Sequence, residues 1–213
     1  AERSGIQDKE KNRTVAYLDQ KEVVSEQMAV RSLQKTCLVL RNSGDEASNQ
    51  AWEQFQQIFN DMKVGTDVVD FQDTSVIPDY YNYETVVVLL SDISPMKENL
   101  MELCDWVSEG GNVLFAMTLQ KTVYTSTIEQ KLGIISSGYE NTLVDSIYFE
   151  PDFMLGGGQA YAFTDPYESA WAVALNEKAQ VYASTVDEKG LPLIWENDYG
   201  KGKFVVDNFG LYE

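Results

Sequence analysis

From residue 37 onward, two patterns of apolar residues alternate along the chain: continuous short runs and residues at helical spacing. Short, almost uninterrupted apolar runs such as TVVVLLSD are typical of strands buried on both faces of a parallel sheet. Between such runs, Trp52, Phe55, Phe59 and Met62 recur at helical spacing and form one apolar stripe. Strands that alternate with helices over short connections predict βαβ units. The predicted strands are 37–41, 66–71, 85–91 and 112–117, and the predicted helices are 46–62 and 95–109.

The second predicted helix has start and stop signals in the run SPMKENLMELCDWVSEGG. Ser94 is the expected N-cap, and Pro95 suits the first helical position. Gly110 or Gly111 is expected to end the helix in a left-handed conformation. A further helix is expected over 122–132, so that helices pack against the parallel strands.

The last third of the chain changes to short strands that are separated by turn residues. This pattern predicts a mixed or antiparallel extension of the same sheet, and NDYGKGK joins the last two strands as a hairpin loop. In this interpretation residues 1–35 form an N-terminal tail and lead-in segment, and residues 36–213 form the α/β domain.

Composition narrows the classes of function. Of the 213 residues, 34 are acidic and 16 are basic, and the resulting net charge of −18 repels nucleic acid and anionic lipid. Hydrophobic residues make up 44%, which supports a real core, yet no apolar run reaches the roughly 18 residues that span a bilayer. We therefore expect no nucleic-acid partner and no membrane insertion within this sequence.

The sequence contains no histidine. This removes the most common general base and every Ser-His or Cys-His catalytic arrangement. Cys37 and Cys104 show no metal-binding spacing, and so few ligands argue against a catalytic zinc site. We expect no metal and no cofactor, and we expect both cysteines to be small core residues, with a disulfide between them left open.

Three segments together resemble the class I glutamine amidotransferase-like superfamily over about residues 36–212: YETVVVLLSD, LMELCDWVSEGGNVLFAM and YGKGKFVVDNFG. The resemblance implies a flavodoxin-like α/β fold, a three-layer sandwich that is used by enzymes and by non-catalytic sugar-associated domains. More narrowly, the chain is similar to the N-terminal domain of uncharacterised bacterial surface proteins of exopolysaccharide loci. In those proteins such a domain, of unknown function, precedes a polysaccharide-deacetylase-like barrel.

The run EGGNVLFAMTLQ lies where the enzymes of this superfamily place a nucleophile elbow of the type G-x-C-x-G. In this chain Met117 takes the cysteine position, and Phe115 and Leu119 take the two glycine positions. Methionine has no ionisable thiol, and large neighbours crowd a strained elbow that needs small ones. The resemblance therefore implies no catalytic residue here, and a pseudoenzyme that keeps the scaffold without the chemistry.

Two groups of residues are candidates for binding a ligand. Polar residues follow three predicted strands, whose carboxyl ends share the sheet edge where ligands bind in open α/β folds. These residues are Asn42, Asp45, Ser91, Asp92, Thr118 and Gln120. The loop PDYYNYE adds Tyr80, Tyr81 and Tyr83 for sugar contact, because amphipathic rings suit such interfaces. Both groups also have plainer interpretations, as turn and cap residues or as a cover over the core.

We expect a non-catalytic accessory or interaction domain of a bacterial secreted or membrane-tethered polysaccharide-processing protein. Its partners would be polysaccharide, or other subunits or domains of that system. Its location would be extracellular or at the cell surface, tethered by a segment outside this sequence. Two alternatives stay open. One is a glycan hydrolase that works with carboxylates alone, such as Asp45 and Asp92, and the other is a purely structural assembly domain.

Overall fold

The computed structural model describes residues 37–154, 157–188 and 190–210, so the predicted tail and lead-in segment over 1–35 lies outside the described residues. The strands are β1 (Cys37–Arg41), β2 (Thr66–Asp70), β3 (Thr85–Leu89), β4 (Asn112–Phe115), β5 (Ile134–Phe149), β6 (Ala160–Leu175), β7 (Gln180–Ser184), β8 (Pro192–Tyr199) and β9 (Gly202–Asp207). The helices are α1 (Glu46–Met62), α2 (Asn99–Glu109) and α3 (Val123–Ile128), and 3-10 turns lie at Tyr80–Asn82 and Ser94–Met96.

These strands form one nine-stranded sheet in the order β2-β1-β3-β4-β9-β8-β7-β5-β6. The part from β2 to β9 is parallel. The part from β9 to β6 is antiparallel, and the predicted hairpin loop joins β8 to β9, with Tyr199 paired to Gly202. The predicted α/β fold with an antiparallel C-terminal extension is confirmed.

The parallel half of the sheet is the middle layer of a three-layer sandwich. Successive side chains of a strand point to opposite faces of its sheet. On β3, Val88 packs in the core cluster that contains Leu103 of α2. Its neighbour Leu89 packs in the cluster that contains Phe55 of α1. The two helices therefore cover opposite faces, and β3 is buried on both, as its uninterrupted apolar run predicts.

The helix predicted over 95–109 begins later in the structure than the sequence predicts. Residues Ser94–Met96 form a 3-10 turn instead of an N-cap and a first helical turn, and Lys97 then has a φ of 48°. A regular α-helix does not pass through a residue in this left-handed region, so α2 begins only at Asn99. Its end is as predicted, because the C-cap Gly110 has a φ of 132°, which favours glycine.

Other predicted boundaries also move. The strands β2, β3 and β4 end one or two residues earlier than predicted. The helix expected over 122–132 is the shorter α3, whose N-cap Thr122 accepts a hydrogen bond from the Thr125 N–H at 3.1 Å. The strands β5 and β6 have 16 residues each, longer than predicted, and register shifts interrupt their pairing. The antiparallel half thus departs from the prediction more than the parallel half does.

Close backbone contacts join the end of α2 to the β8–β9 hairpin. The Lys201 N–H donates to the Ser108 carbonyl at 2.9 Å, and the Lys203 N–H donates to the Gly111 carbonyl at 3.2 Å. A methyl group at Gly202 would overlap the Gly111 carbonyl oxygen. Gly200 and Gly202 of the YGKGK segment are therefore required by the packing of the hairpin on the end of α2, since a methyl group at Gly200 would likewise overlap the Ser108 backbone.

Both cysteines are buried free thiols. Cys37 is 3% exposed and Cys104 is 1% exposed. Burial raises the pKa of each thiol to about 11, so neither is a reactive thiolate at neutral pH. The prediction that both are small core residues is confirmed. The sequence left open whether a disulfide joins them, and in the structure they are not joined.

Candidate functional site

The loops after β1, β3 and β4 meet at the carboxyl edge of the parallel strands. The buried Ser48 hydroxyl donates to the Leu89 carbonyl at 2.6 Å and accepts from the Asn42 N–H at 3.0 Å. The Gln120 N–H donates to the Ser91 carbonyl at 2.8 Å. Hydrogen bonds therefore tie the loop after β1 to β3, and the loop after β3 to the loop after β4. The six polar candidates all lie in these three loops.

Three of the six candidates serve the loops themselves. Asn42, Asp45 and Asp92 each accept a hydrogen bond from the backbone N–H two residues further along the chain, at 3.0, 3.3 and 2.9 Å. Short polar side chains commonly stabilise turns in this way. Asp45 is also the N-cap of α1. The plainer interpretation, in which these residues hold turns and caps, accounts for the hydrogen bonds that they make here.

The other three candidates differ in accessibility. Ser91 and Thr118 are 8% and 9% exposed, so both are largely covered, whereas Gln120 is exposed. The Gln120 carbonyl accepts a hydrogen bond from the Thr125 hydroxyl at 2.7 Å, which ties this loop to α3. The residues that follow Gln120 in the chain line an open cavity of about 670 Å³. It is lined by Lys121, Thr122, Val123, Ser126 and Thr127.

The residues that the resemblance aligns with a nucleophile elbow lie in the protein core. Met117 is fully buried and packs with Leu89 in the cluster on the α1 face of the sheet. Phe115 and Leu119 are buried in the cluster on the other face. The Phe115 ring also stacks on Phe204, with the ring centroids 6.1 Å apart. The thioether is therefore enclosed in the protein core, where it cannot contact a substrate.

The sequence analysis missed an ion pair at the same edge. The Arg41 guanidinium contacts the Asp70 carboxylate at 2.8 and 2.9 Å. The Ser43 and Gln72 N–H groups donate to the other Asp70 oxygen at 2.9 and 3.1 Å. Burial alone would raise the pKa of Asp70, but these hydrogen bonds outweigh it and lower the pKa to about 2. The available signal was a charged residue at the end of each of two predicted strands, β1 and β2.

The three candidate tyrosines lie at the opposite edge of the parallel strands, before β3 begins. Tyr80 is 4% exposed and stacks on Trp106, with the ring centroids 5.9 Å apart. Tyr80 therefore covers the core, and its burial favours the plainer interpretation of this ring over sugar contact. Tyr81 is 61% exposed and Tyr83 is half-buried. These two rings keep the prediction of sugar contact open.

Tyr81 and Tyr83 line a cavity of about 500 Å³, which we call the amino-edge groove. Its other lining side chains are Glu84, Trp106, Glu109 and Asn112, and the Gly110 and Gly111 backbone completes it. The Tyr83 hydroxyl donates to the Asp67 carboxylate at 2.9 Å. Burial, together with this hydrogen bond, raises the pKa of Tyr83 to about 12. The neighbouring Glu109 carboxylate raises the pKa of the Tyr81 hydroxyl as well.

Within the described residues, no group of three or more Asp, Glu or Cys side chains is placed to hold a metal ion. In the same part of the chain, no helix is both long enough and apolar enough to cross a membrane.

The layer arrangement and the mixed sheet define the class of this protein: an α/β domain with the class I glutamine amidotransferase-like fold. The sequence profile of the family described as "Uncharacterised protein conserved in bacteria (DUF2194)" matches residues 23–171, which is more than half of the chain. The chain belongs to this family. No curated protein sequence matches the chain significantly.

Solved structures with a similar fold include two glycosidases and an amidotransferase. The β-galactosidase from Bacillus circulans has a TM-score of 0.56 and 13% identity, with 82% of this chain and 28% of that chain covered. An exo-β-1,4-mannosidase from an Opitutaceae bacterium has a TM-score of 0.56 and 15% identity, with 87% of this chain and 33% of that chain covered. A glutamine amidotransferase from Thermotoga maritima has a TM-score of 0.53 and 14% identity, with 83% of this chain and 75% of that chain covered. This chain thus spans no more than about a third of either glycosidase, and the likeness shows the fold alone.

Proposed function

We propose that this chain is a non-catalytic accessory or interaction domain of a bacterial polysaccharide-processing protein that is secreted or tethered to the cell surface. Its partners would be polysaccharide, or other domains and subunits of the same system. One observation carries the non-catalytic part of the proposal. Met117, which the resemblance aligns with the nucleophile of the superfamily's enzymes, is buried in the protein core.

Acyl transfer at this position would lack each of the elements that the reaction needs. A thioether is not an activated nucleophile, and the sequence has no histidine to serve as its base. Phe115 and Leu119 are buried side chains at the two positions where glycine lets the backbone approach a developing oxyanion. These deficits support a domain that has kept the scaffold of an enzyme without its chemistry.

A glycan hydrolase that acts through carboxylates alone is the first rival. Such an enzyme needs two carboxyl groups that face one cleft, roughly 5–10 Å apart. The pair at the carboxyl edge, Asp45 and Asp92, accepts hydrogen bonds from backbone N–H groups and stabilises two turns. This local use favours the non-catalytic proposal over the hydrolase. The second rival, a purely structural assembly domain, differs in that it would bind no glycan.

The polysaccharide part of the proposal draws support from the proteins in which this fold occurs. Two of the similar structures are a β-galactosidase and an exo-β-1,4-mannosidase. Because only 28% and 33% of those chains are matched, most of each glycosidase lies outside the match. From them we take only the association of this fold with proteins that act on carbohydrates.

Enzyme assays and polysaccharide binding test the proposal together. The proteins are wild type, Met117→Cys and the matched control Met62→Cys, which places a thiol on the surface because Met62 is 66% exposed. We expect none of them to turn over glutamine, activated esters or aryl glycosides, and no acyl-enzyme at position 117 in mass spectra. When insoluble polysaccharides are sedimented, we expect the wild-type protein to be found in the pellet with them.

Each result has a definite meaning. Turnover by wild type would refute the non-catalytic proposal. Turnover by Met117→Cys without turnover by Met62→Cys would show that the elbow is still preorganised and that the argument from Phe115 and Leu119 is wrong. Failure to bind any polysaccharide would leave the assembly domain as the better proposal.

A further inference from the structure

The amino-edge groove has the size and the walls of a site for a small ligand. Its volume of about 500 Å³ lies within the range of about 300–1,000 Å³ that is usual for such sites. Tyr81 stands at this groove with 61% of its surface exposed, and Tyr83 lines it too. Accessible tyrosine rings combine an apolar face with a polar tip, which suits the apolar faces and hydroxyls of sugar rings.

The walls of this groove are held in place by the protein. The Tyr83 hydroxyl is bound to the Asp67 carboxylate at 2.9 Å. A methyl group at Gly111 would overlap the Trp106 indole, so the backbone of the groove packs directly on a buried ring. A site whose groups are already ordered loses less conformational freedom when a ligand binds.

The charge of the groove selects among sugars. Of the described residues that line it, those with charged side chains are Glu84 and Glu109, and both are acidic. The groove also lies at the C-terminal end of α2, where the last carbonyl groups of a helix add partial negative charge. An anionic sugar would be repelled, and a neutral one would leave the carboxylates without a counter-charge. A protonated amine offers these carboxylates charge-assisted hydrogen bonds, which are stronger than neutral ones.

We propose that the amino-edge groove binds a glycan that carries protonated amino groups, such as a polymer of an amino sugar. A sugar ring stacks on Tyr81, and its ammonium group lies between the Glu84 and Glu109 carboxylates. This inference rests on the proposed function and deepens it, since it names the class of polysaccharide and the surface that contacts it. A lysine-rich or arginine-rich peptide offers similar charge, but it lacks the ring that the tyrosine walls fit.

A series of matched oligosaccharides tests the proposal by calorimetry. Short oligomers of glucosamine, N-acetylglucosamine and glucose with the same linkage differ only in the group at one ring carbon: an ammonium, an acetamide or a hydroxyl. We expect the glucosamine oligomer to bind at least about tenfold more tightly than the other two, a difference of about 1.4 kcal/mol. Raising the salt concentration should weaken this binding, because salt screens the attraction.

Two substitutions and two matched controls locate the site. Tyr81→Ala and Glu109→Gln change exposed side chains of the groove, and each should weaken glucosamine-oligomer binding about tenfold or more. Tyr161→Ala removes another exposed tyrosine, on β6, and Glu53→Gln removes an exposed carboxylate on α1. Both controls should leave the affinity within about twofold of wild type. A pentalysine peptide serves as a cationic probe without sugar rings.

The possible failures are distinguishable. If all four variants bind the glucosamine oligomer alike, or if pentalysine binds as tightly as that oligomer, the attraction is general to an acidic protein and the groove proposal is overturned. If a neutral or acidic polysaccharide binds and Tyr81→Ala has no effect, the groove proposal fails while the proposed function stands. If no polysaccharide binds at all, both fail.

Discussion

At the scale of single residues, Asp70 shows how one carboxylate organises the carboxyl edge. It is the last residue of β2, and in the sheet it pairs directly with Arg41, the last residue of β1. The guanidinium and two backbone N–H groups all donate to it. Hydrogen bonds to an ionised acceptor are stronger than neutral ones, and they favour the charged form of the acid. The ionised carboxylate therefore stabilises the folded state.

The stability of the fold should depend on pH through Asp70. Its pKa is about 2 in the folded protein and about 3.9 in an unfolded chain, so its contribution is full above about pH 4 and is lost as the pH falls toward 2. We expect Asp70→Asn to lower the free energy of unfolding near neutral pH by about 1–2 kcal/mol. The difference from wild type should vanish near the folded pKa. Urea unfolding at a series of pH values measures both quantities.

Glu53→Gln is the matched control for this experiment, because Glu53 is an exposed carboxylate on α1. It should change the free energy of unfolding little at any pH. A loss in Asp70→Asn that stays constant from neutral pH to strongly acidic pH would contradict the explanation. The asparagine would then act through packing or geometry, and not through the missing charge.

The same edge shows what residue-level inference can and cannot reach. Asp45 and Asp92 could be placed at the carboxyl edge because each follows an apolar strand. Their use in turns could not be read from position, since aspartate serves equally as a ligand and as a cap. The pair of Arg41 and Asp70 was missed because its members are 29 residues apart and meet only when β1 and β2 align in register.

At the scale of elements, the parallel half of the fold was the predictable half. A strand buried on both faces, such as β3, shows a continuous apolar run, and α1 shows a complete apolar stripe. The strands β5 and β6 have neither signal, because register shifts break the alternation that marks a strand. The start of α2 was predicted too early for a different reason. Ser94 and Pro95 do begin a helical turn, but it is a 3-10 turn that ends before α2 begins.

The contact between α2 and the β8–β9 hairpin leads to a prediction about glycine. A methyl group at Gly202 would overlap the carbonyl oxygens of Val107 and Gly111, which are backbone atoms that cannot rotate away. We expect Gly202→Ala to lower the free energy of unfolding by about 1–3 kcal/mol, the usual range for overpacking. Thermal and urea unfolding followed by circular dichroism measure this loss.

Gly138→Ala is the matched control for the same substitution in another strand. A methyl group there would lie 3.6 Å from the nearest atoms of Ala172, an ordinary contact. Its stability should stay within about 0.5 kcal/mol of wild type. Equal stabilities for the two alanine variants would show that α2 moves away from the hairpin at little cost. The glycine of the YGKGK segment would then need another explanation.

At the scale of the whole molecule, charge links stability with the proposed ligand. The net charge of −18 creates a negative potential around the domain, which raises the local concentration of cations. This field is general, whereas the amino-edge groove adds rings in fixed positions. A cationic polymer would thus be attracted by the whole surface and selected by one part of it. Only the second effect should respond to Tyr81→Ala.

The same charge should make the fold more stable as salt is added. With 34 acidic and 16 basic residues, there are too few basic side chains to pair with every carboxylate, so repulsion within the compact state is substantial. The screening length falls from about 30 Å at 0.01 M salt to about 8 Å at 0.15 M. We expect the midpoint of thermal unfolding to rise by about 2–4 °C over this range, which corresponds to about 1 kcal/mol.

A double variant of α1 tests whether repulsion is the cause. Glu53→Lys with Asp61→Lys replaces two exposed acidic residues by basic ones and makes the net charge less negative by four. Its thermal midpoint at low salt should exceed that of wild type, and its increase on adding sodium chloride should be smaller, because less repulsion is left to screen. A wild-type midpoint that falls as salt is added would reverse the conclusion. Attractive pairs such as Arg41 and Asp70 would then outweigh the repulsion, and the acidic surface would be balanced locally in spite of its net charge.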